Sequence, residues 1–314
     1  MSIRIASTLA LLTLVVGALL VSLRGDRVTA TPAAGPVVLF RSLASGHEHG
    51  RLATLGLSTD GARRAGPLSC TRVHFAGGRG VCTVPEPRGD DIVHVAYVFD
   101  RTLAPGMRIE LAGVPTRVRV APTGQVAAIT TYAHEAEDAA LVTTSIVVDL
   151  GSGAVKADLS TFELDPVGAP ANAAGGAVSG LAFERDGNRF FATLAVDAEP
   201  MLVAGSLSER RITALRKGVS NEALSPNGRL LIVKKLMEER GFWQLAVIDL
   251  TTWEELELPQ GPRSVDDQVE WLDDDHLMYA DVDDGTTSLW ILAADGRSAP
   301  TVLVKNAYSG VRQR

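Results

Sequence analysis

Short apolar runs that stop at a polar turn and then resume recur along the chain after residue 30. In five such units the turn falls at Gly80, Gly124, Gly187, Gly228 and Asp275. The intervals between these positions are 44, 63, 41 and 47 residues. Three of the four intervals therefore lie in the forties and the fourth contains an insertion, which is typical of a repeat protein.

Beyond the two runs that flank each turn, a third apolar run follows in each unit and ends at a polar position. That position is Asp100, Asp149, Asp249 or Asp295 in four units and Ser206 in the remaining one. A shorter run with alternating apolar and polar residues comes next. Each unit therefore predicts four strands. No segment after residue 30 keeps a helical period for three turns, so the predicted class is all-β.

Four-stranded units at this spacing indicate the blades of a β-propeller. Five complete units span about residues 70 to 304. The runs VVLFRSL, RLATLGL and RRAGPL precede them, and NAYSGVRQR follows them. Three N-terminal strands and one C-terminal strand complete a further blade, which closes the ring and removes its open edges. We therefore predict a six-bladed propeller over residues 31–314, with an insertion loop at about 160–178 that covers one face.

The turns carry the chemistry that a tight turn requires. In Ser225-Pro226-Asn227-Gly228, proline fixes one backbone angle and glycine tolerates a positive φ. The repeat, best seen in LSPNGRLLIV and FERDGNRFF, resembles the propeller repeat of TolB, and the propeller of prolyl oligopeptidases uses a similar one. The resemblance covers about residues 36 to 312. It implies an exported six-bladed propeller that acts through protein–protein contacts. The G-x-S-x-G motif of a hydrolase domain is absent from the sequence.

One apolar residue stands just before each turn. We expect these residues to pack between neighbouring blades as core positions rather than to contact a ligand. They are Phe75, Val120, Phe183, Leu224 and Trp271.

The N-terminus has the pattern of an export signal. Arg4 precedes an uncharged apolar run, residues 5–23, and small residues follow at Val28 and Ala30. The run is also close to the length that spans a bilayer as a helix. Residues 1–30 are therefore either a cleaved signal peptide or a retained anchor, and both readings place the rest of the chain outside the cytoplasm.

Export changes the interpretation of the two cysteines, Cys70 and Cys82. The segment between them reads as a strand, a glycine-rich turn and a second strand, and a hairpin brings such positions within bridging distance. In an oxidising compartment we expect them to form a structural disulfide.

Composition narrows the functional classes. Of the 314 residues, 46% are hydrophobic and 21% are charged, which excludes a disordered chain. The net charge of −7 argues against a nucleic-acid-binding protein, which usually presents a basic face. Two cysteines are too few for a four-cysteine zinc site.

Three charged segments are candidate sites, and the sequence favours ordinary surface for each. His47-Glu48-His49 could hold a metal on a strand but reads as a glycine-flanked turn. Residues 266–284 contain nine acidic residues, and this density favours an acidic rim over a calcium loop. The acids are Asp266, Asp267, Glu270, Asp273, Asp274, Asp275, Asp281, Asp283 and Asp284. The basic residues Arg210, Arg211, Arg216, Lys217, Lys234 and Lys235 are expected to be exposed strand charges.

The strand that begins each unit should line the central channel. Among acids and histidines, the candidates on these strands are His74, Glu222, Asp267 and Glu270. They show no shared spacing, so the sequence assigns no catalytic, metal or cofactor residue. The predicted function is a monomeric, non-enzymatic propeller that binds an envelope protein and touches the membrane only through its N-terminal segment. The alternative is a propeller enzyme of the lactonase or hydrolase type with a metal in the channel.

Overall fold

The computed structural model describes residues 35–57, 61, 63–134, 141–165, 176–196, 199–237, 239, 241–265 and 267–313. Within these residues the chain forms six sheets arranged as blades around a ring. The predicted all-β, six-bladed propeller is confirmed. In the described part of the chain, no helix has both the length and the apolar character that crossing a membrane would require. The predicted signal peptide or anchor, residues 1–30, lies outside the described residues.

The strands, in chain order, are β1 (Val37–Ser42), β2 (Arg51–Gly56), β3 (Arg63–Ser69), β4 (Arg72–Ala76), β5 (Arg79–Arg88), β6 (Asp91–Phe99), β7 (Pro105–Leu111), β8 (Val114–Val120), β9 (Val126–His134), β10 (Leu141–Asp149), β11 (Val155–Asp158), β12 (Glu163–Asp165), β13 (Ala177–Phe183), β14 (Arg189–Val196), β15 (Glu199–Ser206), β16 (Arg211–Lys217), β17 (Val219–Leu224), β18 (Leu230–Met237), β19 (Phe242–Asp249), β20 (Glu255–Glu257), β21 (Glu270–Trp271), β22 (His276–Asp283), β23 (Thr286–Ala293), β24 (Thr301–Lys305) and β25 (Ala307–Gln313). Two single-turn 3-10 helices cover Gly46–Glu48 and Leu159–Thr161.

Each blade is a sheet whose strands follow one another outwards from the ring axis. Blade 1 has the order β25-β1-β2-β3, blade 2 β4-β5-β6-β7 and blade 3 β8-β9-β10-β11. Blade 4 has β13-β14-β15-β16, blade 5 β17-β18-β19-β20 and blade 6 β21-β22-β23-β24. The first strand of each blade is its inner strand. These inner strands contact one another in a closed circuit: β4 with β8, β8 with β13, β13 with β17, β17 with β21, β21 with β25, and β25 with β4.

Blade 1 closes the ring as predicted. The C-terminal strand β25 pairs antiparallel with β1, from Val37 opposite Gln313 to Ser42 opposite Ala307. The core lies between blades and is made by the apolar faces of neighbouring sheets, with Phe40, Phe75 and Phe190 among its largest fully buried side chains. The chain ends therefore supply backbone hydrogen bonds that would otherwise leave a strand edge exposed.

The aspartates that mark the repeat cap the turns between the third and fourth strands. Asp149 Oδ1 accepts hydrogen bonds from the backbone N–H groups of Gly151 and Ser152, at 2.9 and 2.8 Å. Asp249 and Asp295 accept equivalent bonds in blades 5 and 6. In blade 4, Ser206 Oγ takes the place of the carboxylate and accepts from Glu209 N at 3.3 Å. The periodic aspartates are thus turn-forming residues.

The insertion adds a strand to blade 4. Within the segment expected to be a loop, β12 pairs in parallel with β16, with Glu163 opposite Arg211. Strand β13 then begins at Ala177, and residues 166–175 lie outside the described residues.

Cys70 and Cys82 form a disulfide, with Cα atoms 5.3 Å apart. Cys70 lies in the connection from β3 to β4, and Cys82 lies on β5. The bond therefore ties the exit of blade 1 to the second strand of blade 2.

Candidate functional site

A cavity of about 220 Å³ opens on the ring axis, on the face that carries the turns between the first and second strands of each blade. The inner strands of all six blades contribute to its wall. We call this face the cavity face. Since inner strands run toward it, later residues on each inner strand lie nearer to solvent.

Strand register identifies equivalent wall positions in all six blades. In every blade, one inner-strand residue pairs with the second residue of the next strand, as Phe75 pairs with Gly80 and Arg312 with Val38. These six residues, which we call the mouth ring, all line the cavity. The mouth ring consists of Phe75, Val120, Phe183, Leu224, Trp271 and Arg312.

The residue before each member of the mouth ring forms a deeper layer, the floor ring. It consists of His74, Arg119, Ala182, Ala223, Glu270 and Val311. Three of its members are small or aliphatic. The other three, from blades 2, 3 and 6, are polar, and His74 and Arg119 both contact Glu270. The same backbone position therefore provides packing in half of the ring and a polar cluster in the other half.

Glu270 is the centre of this polar cluster. Arg119 Nη1 donates to Glu270 Oε1, and His74 Nε2 lies 3.6 Å from the same oxygen. Both the His74 and the Glu270 side chains are only 8% exposed. Burial alone would raise the pKa of Glu270, but the charge of Arg119 and the adjacent imidazole outweigh it and lower the pKa to about 2. Glu270 is therefore an ionised carboxylate whose negative charge is balanced inside the protein.

Hydrogen bonding fixes the tautomer of His74. The backbone N–H of Val120 donates to His74 Nδ1 at 3.0 Å, so Nδ1 must be the unprotonated nitrogen. The ring proton then sits on Nε2, which faces Glu270. Both imidazole nitrogens are thus engaged, and protonating His74 would break its bond to blade 3.

Side chains span the channel below the floor ring. The backbone N–H of Val118 in blade 3 donates to Gln268 Oε1 in blade 6 at 3.1 Å. Blades 3 and 6 face each other across a six-membered ring, so this bond crosses the channel. At the same level Arg72 donates to the Thr116 carbonyl at 2.8 Å and to the Tyr308 hydroxyl at 3.0 Å. Below its polar floor the cavity therefore has one hydrogen bond across the channel and two between neighbouring blades.

A second buried carboxylate, Asp267, lies at this deeper level. Its Oδ2 accepts from the Ser309 backbone N–H at 2.6 Å, and its Oδ1 is buried with no hydrogen-bond partner. Burial raises the pKa of Asp267 to about 6, against the opposing influence of Arg72 and of backbone N–H donors. Lys234 Nζ lies 3.5 Å from the Asp267 backbone oxygen.

The cavity rim depends on two glycines that touch across blades 2 and 3. A Cβ atom on Gly77 would lie 2.3 Å from the backbone nitrogen of Gly124, and one on Gly124 would lie 2.4 Å from the Gly77 oxygen. Both residues have positive φ, 55° and 67°. No other residue type allows the two turns to approach this closely.

The structure brings together some of the residues singled out in the sequence and disperses others. His74 and Glu270 meet in the floor ring, and Asp267 lies below them, so the expectation that Asp267 and Glu270 belong to an acidic rim is wrong. Asp281, Asp283 and Asp284 are exposed, as a rim requires.

Two further expectations on charged residues have different outcomes. Lys234, expected to be exposed, is 8% exposed and lies beside the channel. His47 and His49 are exposed around the short 3-10 helix, and Glu48 pairs with Arg63 at 3.4 Å. The side chain of Glu222 lies outside the described residues, as does Asp266. Within the described ranges, no group of three His, Cys, Asp or Glu residues could hold a metal ion.

Arg119 and Arg312 were not among the candidates drawn from the sequence, whereas the five residues before the turns pack in the core as predicted. Those five are buried or half-buried, but they also line the cavity. The signal was present in the repeat register: Arg119 stands five residues before Gly124, as Ala182 does before Gly187 and Glu270 before Asp275. A search restricted to acids and histidines could not find the arginines.

Comparison with known proteins supports the fold. No protein-family model matches the sequence, and no curated protein sequence matches it. Among solved structures, TolB from Acinetobacter baumannii is 16% identical, with 96% of this chain and 71% of that chain covered and a TM-score of 0.62. The putative TolB from Agrobacterium tumefaciens is 10% identical, with 87% and 90% covered and a TM-score of 0.55. A puromycin-hydrolyzing peptidase from Mycobacterium tuberculosis is 16% identical, with 88% and 44% covered and a TM-score of 0.52. The chain thus has a TolB-like propeller fold.

Proposed function

We propose that this chain is an exported, non-enzymatic β-propeller that binds a partner protein at the cell envelope, and that the partner inserts a side chain into the cavity. Export is supported by the apolar run at residues 5–23 and by the Cys70–Cys82 disulfide, since disulfides persist in oxidising compartments. The TolB-like fold agrees with such a location.

The hydrogen bonds and charges of the floor ring favour binding over catalysis. A general base needs an accessible nitrogen or carboxylate near its target pKa. His74 uses Nδ1 as an acceptor and presents Nε2 to Glu270, and the pKa of Glu270 is far below neutrality. These groups hold one another in place, so they form a rigid polar floor for a binding pocket.

The mouth ring has the character of a recognition surface. Five of its six members are apolar, and Phe75, Phe183 and Trp271 among them are aromatic. Trp271 is held by a hydrogen bond from its Nε1 to the Ala223 carbonyl at 3.1 Å. Preformed pockets lined by fixed aromatic groups are where anchor side chains of protein partners contribute most binding energy. The cavity therefore suits an inserted anchor.

Blocking the cavity tests this proposal. Pro122 is exposed and lines the cavity, whereas Pro226 holds the same turn position in blade 5 and is absent from the cavity wall. We expect Pro122→Trp to abolish the saturable capture of a protein from a solubilised envelope extract, while Pro226→Trp captures it as the parent does. Equal capture by both variants, or no saturable capture by the parent, would refute the proposal.

A propeller enzyme of the lactonase or hydrolase type with a channel metal is the second candidate, favoured by the proximity of His74 to Glu270. The puromycin-hydrolyzing peptidase shares the propeller fold, but this chain covers only 44% of it. Metal analysis of the dialysed protein separates the two functions. One equivalent of tightly held calcium, lost in Glu270→Gln, would favour the enzyme.

A further inference from the structure

Arg312 is the one exception in the mouth ring. Five blades place an apolar side chain at this position, and blade 1 places a guanidinium there. In the described part of the chain, its one hydrogen bond runs from Nη1 to the Leu272 carbonyl at 2.6 Å, which tethers the side chain to blade 6. That carbonyl is neutral, so no carboxylate among the described residues balances the charge of Arg312.

The other charges of the cavity do not compensate Arg312. Glu270 is the one carboxylate of the wall, and it is already paired with Arg119 and contacted by His74. The wall therefore carries two guanidinium groups and one carboxylate, an excess of one positive charge. A guanidinium in a partly dehydrated site binds a carboxylate more strongly than it does in water.

Blades 4 and 5 contribute only apolar residues to the wall, whereas the charged and polar side chains come from the other four blades, which also contribute Phe75 and Trp271. His74, Glu270 and Arg312 come from blades 2, 6 and 1, which are neighbours in the ring, whereas Ala182, Phe183 and Leu224 come from blades 4 and 5. A ligand would therefore turn an anionic group toward blade 1 and an apolar body toward blades 4 and 5. Cavities of roughly 150 Å³ hold a benzene-sized body, so 220 Å³ accommodates one ring and a short acidic arm.

From this arrangement we infer that the cavity recognises a carboxylate joined to an apolar body of about one aromatic ring, with Arg312 as the group that binds the carboxylate. This inference rests on the proposed use of the cavity for binding. The carboxylate could belong to an acidic residue or chain end of the partner protein, or to a small free acid.

The test compares an acid with its uncharged amide. Full-length protein is titrated calorimetrically with 3-phenylpropionate and with 3-phenylpropionamide, each up to about 10 mM, a range that detects millimolar binding. We expect the acid to bind at least about tenfold more tightly than the amide, because a charged hydrogen bond to a buried partner contributes that much or more. Equal affinity, or no binding of the acid, would overturn the inference.

Variants assign the preference to Arg312. Arg312→Leu gives blade 1 the apolar side chain of the other blades, and it should remove the preference for the acid while the amide binds as before. Arg312→Lys should restore part of it. Arg297→Leu removes an exposed arginine that does not line the cavity and should leave both affinities unchanged. An acid preference that survives in Arg312→Leu contradicts the assignment.

Capture of the partner separates this inference from the proposed function. If 3-phenylpropionate displaces the captured protein and Arg312→Leu fails to capture it, the carboxylate belongs to the partner. If the acid binds as predicted but leaves capture unaffected, the ligand is a free acid. If Pro122→Trp abolishes capture while Arg312→Leu captures normally and the acid does not bind, the proposed function stands and this inference is wrong.

Discussion

Glu270 and Asp267 lie three residues apart in blade 6, and both are buried. Glu270 lies in the floor ring, and Asp267 lies at the deeper level of the channel. The pKa of Glu270 is lowered to about 2, and the pKa of Asp267 is raised to about 6. Burial acts on both carboxylates in the same direction. The difference arises from what lies beside them.

Glu270 receives a direct hydrogen bond from a guanidinium, whereas at Asp267 the charges of Arg72 and Lys234 and backbone N–H donors act against the rise in pKa that burial causes. Glu270 receives a direct hydrogen bond from Arg119 and has His74 at 3.6 Å. Asp267 receives the Ser309 N–H at 2.6 Å, but one of its oxygens has no partner. For Glu270 the guanidinium in contact outweighs the loss of hydration, whereas for Asp267 the charges of Arg72 and Lys234 and the backbone N–H donors do not. The two levels therefore respond in opposite ways to mutation and to pH.

The largest effect should come from removing Arg119. Arg119→Met leaves Glu270 buried without its guanidinium partner, and loss of one member of a buried ion pair costs about 3–5 kcal/mol. Urea unfolding at neutral pH measures the change. The double variant Arg119→Met/Glu270→Gln, which removes both charges, should recover most of the lost free energy. If the unfolding free energy of Arg119→Met lies within about 1 kcal/mol of the parent's, Arg119 and Glu270 do not form the ion pair described above.

The next largest effect should be the loss of stability at acidic pH that protonation of Glu270 causes. Since the pKa of Glu270 is lowered in the folded state, its ionised form stabilises the protein at pH values above the unfolded pKa of 4.5. This stabilisation is lost as the pH falls from about 4.5 toward 2, and it is on the order of 3 kcal/mol. Glu270→Gln should lack that part of the pH dependence. Parallel curves of unfolding free energy against pH for parent and variant would contradict the assignment.

The sequence predicted the ring but not the pairing within it. The period and the turn residues identified the blades, and the tail NAYSGVRQR identified the closing strand, because both depend on local patterns. Arg119 and Glu270 are 151 residues apart and meet only because blades 3 and 6 face each other. Repeat register can place both residues in one layer, but which side chains touch depends on channel width and side-chain length. For the same reason the sequence could not separate Asp267 from Glu270.

Asp267 should affect stability in the opposite direction from Glu270 as the pH changes, and Asp267→Asn should lack this effect. The folded pKa of about 6 exceeds the unfolded value of 3.8, so the folded protein loses stability as the pH rises through this interval. The loss is on the order of 2 to 3 kcal/mol. The asparagine oxygen can still accept the Ser309 N–H, so the variant should match the parent near pH 4 and exceed its stability at pH 8. A variant that is less stable than the parent at pH 8 would show that Arg72 and Lys234 stabilise an ionised Asp267.

The smallest effect tests whether the Ser309 hydroxyl takes part in binding the Asp267 carboxylate. Ser309 has a φ of 53°, and its hydroxyl is buried without a partner, while its N–H is the donor to Asp267. Ser309→Gly keeps the N–H, removes the hydroxyl and relieves the positive φ, which costs a residue with a Cβ atom about 1 kcal/mol. We expect Ser309→Gly to raise the melting temperature by about 2 °C, and Ser309→Ala, which keeps the strained φ, to raise it less. Neither should change the pH interval over which Asp267 titrates. If Ser309→Ala shifts that interval, the hydroxyl takes part in binding the carboxylate, and Asp267 would then have a side-chain donor as Glu270 does.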